Sequence, residues 1–257
     1  MKKTMQRILM AAALLLFPFT AVSLSLAESG GHAPHWGYEG ETGPEHWGDL
    51  DHAFTTCIEG KNQSPIDITE TAHEDLGSIT FNYKTSPLKV INNGHTIQVN
   101  YEKGSSISVN SKEYELLQFH FHSPSEHTIK GKASDMVVHL VHKSKEGELA
   151  VIGVLLEKGK ENTLVQTVWN NLPKKEGEEN MVKGMTVNAA DFLPENRSYY
   201  NYSGSLTTPP CSEGVNWFVM KTPTAVSEAQ VAKFKSIFKK SVRPVQPRNN
   251  RTVKESN

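Results

Sequence analysis

Two histidines one residue apart stand at the centre of this chain, in Gln118-Phe119-His120-Phe121-His122-Ser123-Pro124-Ser125-Glu126-His127. Side chains alternate between faces along a β-strand, so His120 and His122 share one face while Phe119 and Phe121 point into an apolar layer behind it. Imidazoles spaced this way on a stiff strand can grip one metal ion. A second strand-like run, Val137-Val138-His139-Leu140-Val141-His142, follows closely. If it pairs beside the first, His139 supplies a third neutral nitrogen. Three imidazoles leave the fourth tetrahedral position of a zinc ion open, which is the pattern of a catalytic zinc site. Against this stands composition: the chain has 11 histidines, and a His-x-His pair alone carries little.

The elements that must position these residues are mostly strands. Residues 78–83, 88–91 and 96–99 alternate in polarity, with Asn92-Asn93-Gly94 and Lys103-Gly104 as turn signals between runs. Residues 115–121, 136–142 and 149–156 continue the pattern, and Glu146-Gly147 makes a tight connection between the last two. Two stretches read as helices. Leu164, Val165, Val168, Trp169 and Leu172 follow a 3.6-residue spacing, with Asn162 as N-cap and Pro173 as the stop. Ser227-Glu228-Ala229-Gln230 resembles a capping box ahead of Val231, Phe234, Ile237 and Phe238. Residues 28–50, rich in Gly, Pro, His and Trp, show no period and are expected to be irregular. Many strands, two short helices and no βα alternation predict one mainly β (α+β) domain around a mostly antiparallel sheet.

The first residues form a separate unit. Lys2, Lys3 and Arg7 precede an apolar core at residues 8–22, and Ser25-Leu26-Ala27 ends in a small residue, the pattern of a secretory signal peptide over residues 1–27. An uncleaved anchor is the alternative, although the segment is short for a span, and no later stretch approaches the ~20 apolar residues a span needs. The expected product is a soluble domain over residues 28–257, periplasmic or secreted. Formal net charge is −1, and no basic block suggests a nucleic-acid partner; Arg243, Arg248, Arg251 and Lys254, scattered among Pro and Asn, read as a solvated tail. The two cysteines, Cys57 and Cys211, most simply form one disulfide in an oxidising compartment, worth about 3–5 kcal/mol by loop entropy; two buried thiols are the alternative.

Ordered motifs then accumulate along the chain: Trp36-Gly37-Tyr38, Asn62-Gln63-Ser64-Pro65-Ile66-Asp67-Ile68, Asn92-Asn93-Gly94-His95, the His120 stretch, Gly204-Ser205-Leu206-Thr207-Thr208-Pro209-Pro210 and Arg243-Pro244-Val245-Gln246-Pro247. On these the chain resembles an α-class carbonic anhydrase of the secreted bacterial kind. The resemblance implies a roughly ten-stranded sheet with a conical cleft, Zn2+ on His120, His122 and His139, and reversible hydration of CO2 to bicarbonate and a proton by zinc-bound hydroxide. It makes Thr207, paired with Glu126, the residue that orients the hydroxide, and His95 the proton shuttle, a task for which an imidazole titrating near neutrality is suited.

Further positions follow from the same resemblance. Tyr38, Asn93 and Gln98 would order a chain of waters. Val141, Val151, Leu206, Thr208 and Trp217, with Thr207, would hold the substrate, although plain core packing also accounts for the apolar ones. Gln118 matches the partner of the first ligand, and His127 falls to a supporting polar network. Sulfonamide and anion inhibitors and a homodimer are implied too.

Two positions depart from the family. Ser123-Pro124 replaces a Trp-Gly common in vertebrate members. Val137, two residues before His139, stands where a glutamate usually accepts the third ligand's other N–H, which predicts weaker zinc retention or a shifted water pKa. A non-catalytic binding module on the same fold is the main competing reading; such relatives typically lose ligand histidines, and all three remain here. A secreted zinc carrier would need denser His tracts than residues 32–73 provide. Ester hydrolysis is a conceivable side activity, because an activated ester also offers an electrophilic carbonyl.

Overall fold

Strands in this chain alternate buried and partly exposed positions, and the structure, a computed structural model describing residues 35–257, joins nearly all of them into one sheet. The expected signal segment, residues 1–27, lies outside the described residues. Ten strands form the path: β1 (Ala72–His73), β2 (Ser86–Asn92), β3 (Ile97–Asn100), β4 (Lys112–His122), β5 (Met136–Ser144), β6 (Leu149–Lys158), β7 (Glu179–Val187), β8 (Tyr199–Ser205), β9 (Glu213–Met220) and β10 (Lys254–Glu255). Their spatial order is β7-β2-β3-β4-β5-β6-β9-β8-β10-β1, and Thr80–Asn82, Ser106–Val109 and Thr224–Val226 attach beside it to make thirteen. Pairing is mostly antiparallel, as expected. The exceptions are β6, which runs parallel to β9 and to Thr224–Val226, and β10, parallel to β1. β6 is buried along nearly its whole length and reads as a continuous apolar run, the pattern of a strand covered on both faces.

One face of the sheet carries the larger core, including Phe119, Phe121, Leu140 and Ile152, and both predicted helices pack there. Thr163–Trp169 starts where Asn162 Oδ1 accepts from Val165 N, and Glu228–Ile237 starts at a complete capping box between Ser227 and Gln230. The opposite face carries a smaller apolar cluster of Val137, Val151, Leu155, Trp217 and Val219 beside the histidines.

Three expectations need correction. Residues 28–50 are not wholly irregular: Gly40–Thr42 is a 3-10 turn and Trp47–Leu50 a helical turn, held where Trp47 Nε1 donates to Gly37 O at 2.8 Å. Strands β7, β8 and β9 were not anticipated, because their runs mix polar residues with Gly and Asn and lack clean alternation. The C-terminal segment is no solvated tail. Arg243 is only 2% exposed and donates to Gln63 Oε1, Ser64 O and Cys57 O, Arg248 and Arg251 donate to backbone carbonyls, and Lys254 lies in β10. A guanidinium can be buried when carbonyls meet its fork of donors, and residue type alone does not reveal them. Cys57 and Cys211 form the disulfide, joining positions 154 residues apart and selecting that alternative over free thiols.

Candidate metal centre

Strand register lays the functional side chains out in rows. In the central row Gln98 pairs with His120, His120 with His139, His139 with Gly153, and Gly153 with Val219. One row away are Gln118, Val141, Val151 and Trp217; on the other side are His122, Val137 and Leu155. Residues two apart share a face, so all three rows project from the same side of the sheet.

That register brings one nitrogen each from His120, His122 and His139 within 4.8 Å of one another. Hydrogen bonding identifies most of them. His120 Nδ1 donates to Gln118 Oε1 at 2.8 Å, and His122 Nδ1 donates to the backbone carbonyl of Ser241. Each ring therefore keeps Nε2 free, and His122 Nε2 is buried without a partner. His139 is turned the other way: its Nδ1 lies 3.9 Å from Glu126 Oε2, the same oxygen that sits 3.5 Å from His122 Nε2, while its Nε2 is buried and bonded to nothing. Burial, reinforced by the charge of neighbouring histidines, pushes the pKa of His120 and of His139 well below that of a free imidazole. Neutral imidazoles are the form a metal binds, so this donor set fits zinc.

Glu126 is buried beside these rings. Its Oε1 accepts from Arg243 N at 3.0 Å. Burial raises its pKa, while His122, the Arg243 N–H and the Thr207 hydroxyl favour the ionised form; even so, Oε2 has no hydrogen-bond partner of normal geometry. The disulfide and the bond from Gln63 Nε2 to Cys211 O brace the loop that carries Thr207.

A cleft of about 110 Å³ opens over His120 and His122, with Trp36, Tyr38, Asn93, His95, Gln98 and Thr208 on its walls. Tyr38 Oη is buried in it without a partner. Asn93 Oδ1 accepts from His95 N and Thr96 N, which shapes the turn that carries His95. Gly94 in that turn has φ +85, and a Cβ there would meet Glu176 Oε1 at 2.4 Å, so only glycine fits without displacing that carboxylate. The His95 ring stacks on Trp36 with centroids 3.7 Å apart and planes 7° from parallel. Burial lowers its pKa, His35 lowers it further and Glu176 opposes them. Trp217 packs on His139 at 4.9 Å, with Val141, Val151 and Leu206 in the same apolar cluster.

Sequence reasoning missed three contributors: the Ser241 carbonyl behind His122, the stack of Trp36 on His95, and the full extent of the His127 network. His127 Nε2 meets Tyr202 Oη at 2.6 Å, and Tyr202 Oη meets Ser64 Oγ at 2.8 Å. A backbone carbonyl has no signature in sequence. The Trp36-Gly37-Tyr38 motif was visible, but not its target.

A family model described as eukaryotic-type carbonic anhydrase matches residues 42–257. A carbonic anhydrase of Neisseria gonorrhoeae is 46% identical over 245 residues, 95% of each chain. Among solved structures, a hyperthermostable carbonic anhydrase from an active hydrothermal vent chimney has a TM-score of 0.85 at 49% identity, covering 87% of this chain and 100% of its own. The α-carbonic anhydrase of Thermovibrio ammonificans, solved with the inhibitor sulfanilamide, has a TM-score of 0.84 at 45% identity over the same shares. The chain belongs to the α-class carbonic anhydrase family and is an enzyme.

Proposed function

We propose that this protein catalyses the reversible hydration of CO2 to bicarbonate and a proton at a zinc ion held by His120 Nε2, His122 Nε2 and His139 Nδ1. The convergence of one ring nitrogen from each of three histidines, next to a polar cleft and an apolar cluster, carries the reading. A zinc ion with neutral ligands lowers the pKa of water enough to supply hydroxide near neutral pH. The chain's own residues do the rest. Val141, Val151, Leu206 and Trp217 offer CO2, which has no net dipole, an apolar place beside the floor. The Thr207 hydroxyl, with the Glu126 carboxylate as acceptor, leaves an oxygen lone pair toward the cleft and so fixes the orientation of the attacking hydroxide; Thr208 lines the same edge. The carbon–oxygen bond of bicarbonate forms as one CO2 double bond opens onto oxygen.

Replenishing hydroxide requires a water to lose a proton. Tyr38, Asn93 and Gln98 order the water path, and His95, whose depressed pKa keeps it neutral at pH 7, accepts the proton and passes it to buffer. Stopped-flow CO2 hydration, with and without a sulfonamide, tests the function: fast, sulfonamide-sensitive turnover is expected, and zinc-loaded protein without turnover would leave a binding module. Anions are expected to inhibit as well. We also propose export to the periplasm or beyond with cleavage after Ala27, checked by N-terminal sequencing of the mature protein, and a homodimer, checked by sedimentation. Among the described residues no helix is long and apolar enough to cross a membrane.

A further inference from the structure

His120 and His122 have their outer nitrogens bonded to fixed acceptors, but His139 does not. Its Nε2 is buried, and no side chain or carbonyl of the described residues meets it. The ground around that edge is apolar: Val137 lies two residues earlier on the same face of β5, Trp217 packs against the ring, and a Cβ built on Gly153 would stand 3.8 Å from His139 Cδ2, the carbon bonded to Nε2. His127, its ring 6.3 Å from that of His139, also has a buried nitrogen, Nδ1, without a partner. Two buried ring nitrogens without partners, on neighbouring histidines, point to a missing polar group here. Native proteins rarely leave such groups bare, because a buried N–H without an acceptor loses its hydration and gains nothing.

A neutral imidazole has one N–H to place. On Nδ1 it faces Glu126 Oε2, 3.9 Å away; on Nε2 it meets no hydrogen-bond partner among the described residues. We infer that Val137 sets the metal affinity of this centre: metal-free His139 keeps its proton on Nδ1, and zinc binding through Nδ1 must move that proton to Nε2, where nothing accepts it. The shift is an exchange between two nitrogens of one ring, so no proton is gained or lost overall. The inference rests on the zinc reading above. It makes Val137 a positioning residue by default, one whose side chain withholds a partner that would otherwise preset the ring.

Imidazole 15N spectra of the metal-free protein, together with zinc affinity from chelator competition, test this without any measurement of activity. In the wild type the His139 proton is expected on Nδ1. In Val137→Glu it should move to Nε2, and zinc should bind about tenfold to a hundredfold more tightly, the usual weight of a partner behind a metal-bound histidine. Val137→Gln, whose side-chain carbonyl accepts without charge, should shift both readouts the same way and covers the case in which a buried carboxylate prevents folding. A proton already on Nε2 in the wild type overturns the inference, as does equal zinc affinity in the wild type and a folded variant. Wild-type protein that takes up no zinc at all would sink the zinc reading as well, so the two failures are distinguishable.

Discussion

The two strands that deliver the histidines, β4 and β5, are adjacent, yet they are equipped differently. On β4 each ligand has a fixed acceptor behind it: the side chain of Gln118 for His120, and for His122 a backbone carbonyl from Ser241, 119 residues further along the chain. On β5 the corresponding atom of His139 faces apolar side chains. Three ligands of one chemical type thus arrive with unequal support. The atoms that can touch a metal decide whether it binds; the atoms behind them decide how firmly each ring is preset. The same protein can therefore be complete in the first respect and uneven in the second.

Targeted substitutions test that contrast. The largest effect should come from His120→Ala or His122→Ala, which remove a ligand outright; metal analysis should find zinc lost, and with it CO2 hydration. Next, Gln118→Ala removes a real acceptor on β4 and should weaken zinc binding by roughly tenfold to a hundredfold. Val137→Ala on β5 removes no acceptor, so chelator competition should show unchanged affinity, although lost burial costs on the order of 1–2 kcal/mol of stability. Equal losses of affinity in these two variants would erase the distinction between the strands. A change outside both strands, His95→Ala, should leave zinc affinity alone and lower turnover in weak buffer by about tenfold to a hundredfold, with rescue by added imidazole.

A further test concerns two buried histidines near this contrast. His142, also on β5, has both nitrogens engaged, by Tyr83 Oη at 2.8 Å and the Ala150 carbonyl at 3.3 Å, whereas His127 has one. Burial pushes both down to about 3, helped at His127 by the charge of His122 and Arg251 and opposed at His142 by backbone carbonyls. Unfolded, each titrates near 6.5. The neutral forms thus contribute stability that is fully present above pH 6.5 and is lost as pH falls towards 3, by at most about 1.4 kcal/mol per pH unit for each histidine. Urea unfolding at pH 7 and pH 5 should show this loss, and His142→Gln should reduce its slope by up to one proton. An unchanged slope would mean that His142 is protonated in the native state.

Much of the site was legible without coordinates. His120 and His122 declared themselves by spacing, the turn before His95 by Asn92-Asn93-Gly94, and the two helices by Asn162 and by Ser227 with Gln230. What escaped shares a physical cause. β7 to β9 earn their strand geometry from neighbours rather than from their own alternation, and Arg243 is buried because distant carbonyls happen to meet it. The carbonyl behind His122 belongs to a residue whose type is irrelevant to the bond.

Which residue types could do the chemistry, and which face of a strand they would occupy, could be read from the chain directly, because a period of two is a local property. Folding was needed to set His139 opposite His120, to bring Arg243 N to Glu126 and to join Cys57 to Cys211. Those pairings follow from strand register and from the packing of segments far apart in the chain, where many weak apolar contacts sum to select one arrangement.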